Sequence, residues 1–299
     1  LEQGIKPIIG SEIYISKRSR HDKEAGVDGA SNHLILLAKN DLGYKNLMKI
    51  ISIANLEGYY YRPRTDTELL REHSEGLICL SACVNGYVSE PLIMGQDETA
   101  IERAKKLNEI FGEGNFYLEL QKHIDVKDQD SLNQKLINLS EKLSIPIVAT
   151  NDNHYIYPQD AEAQEALLCI QTQTTLNDKD RRLSMISSPD FYIKSKEEMV
   201  GLFLQNPQAI ENTVKIAEMC NLEIKLGQWI MPVFDVPKGK ISADFFREEV
   251  DRGLKKRYTN ITKEIKERAE YELSIIIKKG YEKYILIVAD FVNWAKSQK

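Results

Sequence analysis

An acidic residue and an imidazole lie two positions apart at the end of a short apolar stretch. The run Pro146-Ile147-Val148-Ala149-Thr150 is rich in β-branched residues and predicts a buried strand. Asp152 and His154 follow it, and in extended backbone their side chains leave the same face. Such a pair can bind a metal ion. The alternative is a turn in which Asp152 caps the next helix and His154 is half exposed.

Three further residues able to bind a metal lie at or beside predicted strands. Glu12 follows a first apolar run, His33 begins a second, and Cys83 follows a third. If these strands are neighbours in a barrel, their ends converge around one pocket with Asp152 and His154. Taken singly, Glu12 could be a surface residue, His33 a hydrogen-bonded core imidazole and Cys83 a small buried apolar side chain. Together they favour a site for two or three divalent ions, which suits phosphoester hydrolysis.

The composition is that of a globular protein with a substantial core. The 299 residues are 42% hydrophobic and 28% charged, with a formal net charge of -5, which predicts one large or two smaller units. The net charge argues against nucleic-acid binding by bulk charge, but not against a local basic groove. Four scattered cysteines indicate a reducing, cytoplasmic compartment. No apolar run is long enough for a bilayer, so no membrane partner is expected.

Apolar runs alternate with helical patterns in the first half, which predicts a parallel α/β architecture. Strands are expected at 5–9, 12–15, 33–38, 77–80, 116–120 and 146–150. After residue 157 the pattern is helical. A first helix there should bury the stripe Ala163, Ala166, Leu167 and Ile170. A connector at 229–236 predicts a domain boundary between residues 228 and 229, followed by helices around 243–258, 263–279 and 284–299.

Two loops are charged. Residues 17–29 are expected to form a solvated loop, with phosphate binding as the less favoured alternative. Residues 58–66 combine three tyrosines with Arg62 and Arg64. They predict an exposed loop that either contacts nucleic acid through stacking and charge or packs its tyrosines together.

Several of these stretches resemble one protein family. Residues 4–12, 33–40, 76–83 and 149–155 resemble, in that order, the polymerase-and-histidinol-phosphatase (PHP) domain of the bacterial C-family replicative polymerases, the alpha subunits of DNA polymerase III. Residues 211–217, 271–273, 280–281 and 284–288 resemble the passage into the palm of the same subunits. The resemblance covers essentially the whole chain. With no initiator Met and no stop signal after the last helix, the chain is expected to be a segment of a longer protein.

The resemblance implies a fold and a set of ligands. Residues 1–228 should form most of a distorted (β/α)7 PHP barrel, and 229–299 a mostly helical connector and the first part of the palm. The family ligands carry over to Glu12, His33, Cys83, Asp152 and His154, which would hold Zn or Mn ions. The family's His-x-His and Asp-His pairs have no counterpart here, so the site should be incomplete. His123 matches no family ligand.

The resemblance also implies an activity. The intact subunit carries out template-directed DNA synthesis, and its PHP domain can act as a 3′→5′ exonuclease. The palm carboxylates and their Mg ions lie outside this chain, so this segment should not polymerise. Expected partners are DNA, deoxynucleoside triphosphates, the sliding clamp and a proofreading subunit. The alternatives are a stand-alone PHP phosphoesterase acting on a small phosphate and a non-catalytic PHP scaffold.

Overall fold

The chain forms two units in the computed structural model, which describes residues 4–124, 126–178, 181, 183–227 and 232–298. The first unit is Leu1–Ile224 and the second is Lys225–Lys299. The boundary that the sequence predicts, between residues 228 and 229, lies outside the described residues. The predicted domain limits therefore stay a prediction.

The first unit combines a sheet with helices. Its described strands are β1 (Gly10–Ser16), β2 (Ser31–Ala38), β3 (Arg64–Thr65), β4 (Leu77–Leu80), β5 (Phe116–Leu120) and β6 (Ile147–Ala149). Its helices are α1 (Asp41–Leu56), α2 (Thr67–Glu72), α3 (Ser89–Ile93), α4 (Asp97–Phe111), α5 (Gln129–Leu143), α6 (Ala161–Thr172), α7 (Lys196–Leu202) and α8 (Pro207–Met219). The α/β class is confirmed.

The six strands form one mixed sheet in the order β3-β1-β2-β4-β5-β6. β2 runs antiparallel to both neighbours, whereas the other pairs are parallel. The parallel expectation is therefore wrong at β2. The reason is the connection: residues 17–30 contain turns but no helix, and a parallel pair needs a long crossover. In the described chain the outer strands β3 and β6 do not pair with each other, so closure into a barrel is not shown.

The central strands are buried on both faces. On one face Leu77, Phe116 and Ile147 pack into the main core with α1, α4 and α5. On the other face Tyr117 and Val148 pack against Ile216 of α8 and the buried thiol of Cys220. Sheets covered on both faces need nearly continuous apolar strands, as the sequence of β4 to β6 shows. All four cysteines are free, as their scattered spacing predicts.

The first predicted strand, at residues 5–9, is not a strand. Regular pairing begins only at Gly10, although the N–H of Ala38 still donates to the carbonyl of Ile9 at 2.8 Å. Pro7 has no N–H to donate to a ladder, which is a physical reason for pairing to start after it.

Helix α6 buries a different face from the predicted stripe. Leu167 and Ile170 are 60% and 75% exposed, whereas Leu168 and Cys169 are buried. The buried carboxylate of Glu165 explains why α6 turns a different face towards the core. It accepts hydrogen bonds from the Ser184 hydroxyl at 2.6 Å and the Met185 N–H at 2.9 Å, and pairs with Arg181 at 2.7 Å. A satisfied buried carboxylate outweighs an apolar stripe here, since leaving it unpaired costs more than exposing two aliphatic side chains.

The second unit is helical in its described residues. Its helices are α9 (Ser242–Arg257), α10 (Lys263–Lys278) and α11 (Glu282–Ser297). They meet at a small buried cluster of Phe246, Leu273 and Leu286. The three helices predicted after the connector are thus confirmed. Among the described helices, none has the length and apolar character needed to cross a membrane.

Arg64 is buried, which corrects the expectation that residues 58–66 are exposed throughout. It is 1% exposed. Its guanidinium donates at 2.8–3.2 Å to four carbonyl oxygens, those of Arg20, Asp22, Asp28 and Gly58. Gly58 lies so close that a Cβ there would be 1.9 Å from the Arg64 carbonyl oxygen. Arg64 therefore holds the 17–29 segment in place, and that segment is not a loose solvated loop.

Replacing this guanidinium should destabilise the first unit. We expect Arg64→Met to lower the free energy of unfolding by about 3 kcal/mol or more, because hydrogen bonds to charged groups contribute about 1.5–3 kcal/mol each. Urea unfolding followed by circular dichroism measures this. Arg71→Met is the matched control, since that side chain is 52% exposed, and should change stability by less than about 0.5 kcal/mol. Equal effects of the two substitutions would contradict the assigned role.

Candidate metal centre

The candidate ligands emerge at one edge of the sheet. Strands β1, β4, β5 and β6 point in the same direction and β2 points the opposite way. The amino end of β2 therefore lies beside the carboxyl ends of the others. His33 lies near the start of β2, Cys83 follows β4, and Asp152 and His154 follow β6. Glu12 lies within β1, two residues from the position that pairs with His33, and is therefore the diagonal cross-strand neighbour of His33.

Glu12, His33 and Cys83 form the first half of the site. The Nδ1 atom of His33 is 3.3 Å from Oε1 of Glu12 and 4.0 Å from Sγ of Cys83. Tyr14 lies directly opposite His33 in the register, with the ring centroids 4.9 Å apart and the planes at 82°. The imidazole is thus held between a carboxylate and a thiol, with an aromatic edge beside it.

Asp152 and His154 form the second half. Oδ1 of Asp152 is 3.6 Å from Nε2 of His154. This contact lowers the pKa of Asp152 and raises the pKa of His154. Asp152 has a φ of 47°, so its backbone is left-handed rather than extended as predicted. The two side chains nevertheless face each other, because the chain turns sharply where β6 ends.

The two halves act on each other through their charges. Burial raises the pKa of Cys83 to about 11, and the charges of Asp152, Glu119 and Glu12 add to the rise. Glu12 also raises the pKa of His154, after the larger effect of Asp152. Residues from distant parts of the chain therefore share one electrostatic environment.

Within each pair of neighbouring candidate ligands, we compare the distance between the two donor atoms with the distance expected on a shared metal ion. Ligand atoms on one tetrahedral ion, at about 2.0–2.3 Å from it, lie roughly 3.3–3.7 Å from each other. The N–O separations of 3.3 and 3.6 Å match this spacing, and the N–S separation of 4.0 Å is somewhat longer. Within the described residues, no group of three or more His, Cys, Asp and Glu side chains is arranged to hold an ion. The assignment of all five ligands stays a prediction.

Glu119 connects the strand ends that carry the two halves. It is 5% exposed, in the middle of β5. Its carboxylate accepts from the N–H of Ala82 at 2.9 Å, from Nε2 of Gln121 at 3.1 Å and from the hydroxyl of Thr150. Ala82 precedes Cys83 and has a left-handed φ of 63°. One carboxylate thus fixes the backbone before Cys83 and the end of β6 before Asp152. A charged residue inside an apolar strand was the only sequence signal for this role.

His123 and Phe191 support the second half. The His123 side chain is 2% exposed. Its Nδ1 lies 3.5 Å from Oδ1 of Asp190, and in the described part of the chain neither ring nitrogen has a well-directed hydrogen bond. Its ring stacks on Phe191 at 4.0 Å, and Phe191 meets the ring of His154 edge-on at 5.6 Å. The N–H of His154 donates to the Phe191 carbonyl at 2.9 Å. The position of His123 after β5 was visible in the sequence, whereas no pattern pointed to Phe191.

Comparisons with known proteins agree with this architecture. A family model described as "PHP domain" matches residues 1–123, and one described as "Bacterial DNA polymerase III alpha NTPase domain" matches residues 244–299. The first match includes Glu12, His33 and Cys83 and ends before Asp152 and His154. The chain thus carries a PHP domain followed by a segment similar to the polymerase region.

Three relatives carry the name DNA polymerase III subunit alpha. The protein from Borreliella burgdorferi is 46% identical over 295 residues, which cover 98% of this chain and 25% of the relative. That from Treponema pallidum is 42% identical over 296 residues, with the same two coverages of 98% and 25%. That from Thermus aquaticus is 34% identical over 355 residues, covering 98% of this chain and 29% of the relative. The chain belongs to the family of bacterial DNA polymerase III alpha subunits and spans about a quarter of the length of these curated relatives.

The burial of Glu119 makes a prediction about pH. Burial raises the pKa of Glu119 above its usual 4.5, so between that value and the folded-state pKa the native protein binds more protons than the unfolded chain. Stability must then fall as pH rises through this interval, by at most about 1.4 kcal/mol per pH unit. Glu119→Gln should remove this slope, because an amide does not titrate. The substitution can be accommodated, since a flipped Gln121 amide can accept a hydrogen bond from the new N–H donor.

The measurement is urea unfolding of both proteins from pH 4.5 to 8 with chelator present. The stability of wild type relative to Glu119→Gln should decrease as pH rises. Glu141→Gln, at an exposed position of α5, is the matched control and should leave the slope unchanged. A wild-type curve parallel to that of Glu119→Gln would show that the carboxyl titrates normally.

Proposed function

We propose that this chain is the metal-binding PHP part of a replicative DNA polymerase alpha subunit, and that the site hydrolyses DNA from the 3′ end. The observation that supports the proposal is that two groups of potential ligands, Glu12–His33–Cys83 and Asp152–His154, lie at the same edge of the sheet and act on each other through their charges. Mixed carboxylate, imidazole and thiol donors suit Zn, and the carboxylates and imidazoles also suit Mn. A bound divalent ion would polarise the phosphate ester and lower the pKa of an attacking water.

The protein's own residues prepare the site for a cation. Cys83 keeps its proton at neutral pH, since its pKa is about 11, so it must lose that proton to become a ligand. The contact with Asp152 raises the pKa of His154 and so favours its protonated form, whose proton must leave before the ligating nitrogen can bind a metal. Ligation should therefore release protons and tighten as pH rises. Glu119 and Phe191 keep the two halves oriented during this exchange.

The same proposal extends to the domains and the whole subunit. Residues 1–228 would belong to a distorted (β/α)7 barrel. Residues 229–299 would form the connector and the start of the palm. In the intact subunit, a separate Mg site would use deoxynucleoside triphosphates for template-directed synthesis, with a sliding clamp and a proofreading subunit as partners in the cytoplasm.

A non-catalytic scaffold is the second candidate. It is favoured by one observation: among the described residues, no three potential ligands are gathered around one point. The stand-alone phosphoesterase is disfavoured, because residues 244–299 match a polymerase region that a small phosphatase would not need.

A substitution in the intact alpha subunit that contains this chain tests the proposal. With Mn²⁺ and a 3′-labelled primer, we expect Asp152→Asn to slow release of the label at least about 100-fold, since even residues that only support ligands contribute 10–100-fold. Asp97→Asn, on the exposed start of α4, should leave the rate unchanged. Primer extension by both variants should match wild type, which confirms folding.

Two results would separate the candidates. Label release that persists after Asp152→Asn would contradict the catalytic assignment. If elemental analysis finds less than one bound ion per intact subunit and the label is not released, the scaffold is the better description.

A further inference from the structure

A cavity lies beside the first half of the candidate metal centre. It has a volume of about 720 Å³, and its wall includes Gly29, Ser31, His33, Tyr61, Arg62 and Asn85. His33 therefore faces both the candidate metal centre and this cavity. A strand of nucleic acid with one phosphate at the metal centre has to place its neighbouring nucleotide nearby.

Tyr61 lies in the wall of this cavity and has a strained backbone conformation. Its φ is 60°, in the left-handed region that a tyrosine rarely adopts, and the residue is 72% exposed. The N–H of Tyr60 donates to the Arg62 carbonyl at 3.0 Å across the turn, and the two tyrosine rings lie 4.6 Å apart. The ring of Tyr61 lies over Gly29. Backbone strain of this kind clusters at ligand sites, and the Tyr61 ring, although it contacts Tyr60, keeps most of its surface in solvent where a ligand could stack on it.

Arg62 supplies a positive charge at the same place. Its guanidinium lies 4.7 Å above the ring of Tyr14, which in turn meets the ring of His33. Among the described residues, no carboxylate oxygen lies within 4.0 Å of its nitrogens. This distinguishes Arg62 from Arg64, whose donors are all directed at backbone carbonyls. Arg62 is thus oriented by an aromatic face and keeps its hydrogen-bond donors for another group.

The one acidic side chain in the described wall of the cavity is already neutralised. Glu90 is paired with Lys17 at 3.1 Å and lies 3.9 Å from Arg103. An anion that enters the cavity therefore meets Arg62, and the described wall itself contains no unpaired carboxylate. The wall combines a stacking surface with one guanidinium, which is the pairing that single-stranded nucleic acid requires.

We propose that this cavity is a nucleotide subsite for single-stranded DNA, with a base stacked on Tyr61 and a backbone phosphate bound by Arg62. The inference rests on the proposed function, because a phosphate bound at the metal centre would set the direction in which the DNA strand runs through the cavity. Binding at the subsite needs no metal, so the two can be tested apart.

The test uses the full 299-residue chain, a fluorescent oligo-dT and chelator, with affinity read by anisotropy. Tyr61→Gly relieves the left-handed strain and should fold, yet should weaken binding about 5- to 100-fold through loss of stacking. Tyr61→Phe should bind like wild type. Arg62→Ala should weaken binding and also make the plot of log affinity against log salt less steep by about 0.7, the share of one phosphate on a single strand.

Arg71→Ala, at the exposed end of α2, is the control and should change neither affinity nor salt dependence. No measurable binding by wild type, or equal binding by Tyr61→Gly and wild type, would overturn the subsite. If the subsite binds as expected but the intact subunit releases no labelled nucleotide with Mn²⁺, the inference stands and the hydrolytic function fails.

Discussion

The direction of β2 is the constraint on which the candidate site depends. Because β2 runs against its neighbours, its amino end lies at the edge where β4, β5 and β6 end. His33 reaches the site only for this reason. In an all-parallel sheet the same residue, at the start of its strand, would emerge at the opposite edge, far from Cys83 and Asp152. The short connection between β1 and β2 therefore decides whether the ligands can meet.

The second requirement is that the backbone holds unfavourable conformations beside the ligands. Ala82 and Asp152 are both left-handed, and both follow the end of a buried strand. Neither is a glycine, so each conformation costs free energy that neighbouring contacts must offset. Glu119 offsets it for Ala82 through a direct hydrogen bond, and it anchors Thr150 just before Asp152. Burying the Glu119 carboxylate costs free energy. In return, a single residue of β5 fixes both the turn before Cys83 and the turn before Asp152.

The sequence correctly predicted the elements that depend on a local pattern of apolar residues. Strands β4, β5 and β6 are short apolar runs with clear ends, and they lie where the runs lie. It failed where a distant polar group decides the outcome. The face that α6 buries is set by Glu165 and Arg181, and the burial of Arg64 is set by carbonyls more than 30 residues away. Periodicity carries no information on such partners. Residue types at strand ends predicted which side chains lie near one another in the candidate site, as the Glu12–His33–Cys83 and Asp152–His154 contacts show, whereas Phe191, which supports His154, had no local signal.

The charges around Cys83 distinguish the candidate metal centre from an ordinary ion pair on the protein surface. Partial burial raises the pKa of the Cys83 thiol, and the charges of Asp152, Glu119 and Glu12 raise it further. In a pair the charges cancel, and little remains to attract a further ion. Here the charges of Asp152, Glu119 and Glu12 all raise the pKa of Cys83, although His154 lies beside Asp152 and His33 beside Glu12. A cation at this point would reverse the effect of all three groups at once, since a bound ion becomes the largest local charge and favours the thiolate. A negative charge on Cys83 is therefore disfavoured among these residues alone and would be favoured with a positive charge among them, which is the physical argument for the proposed cation-binding role.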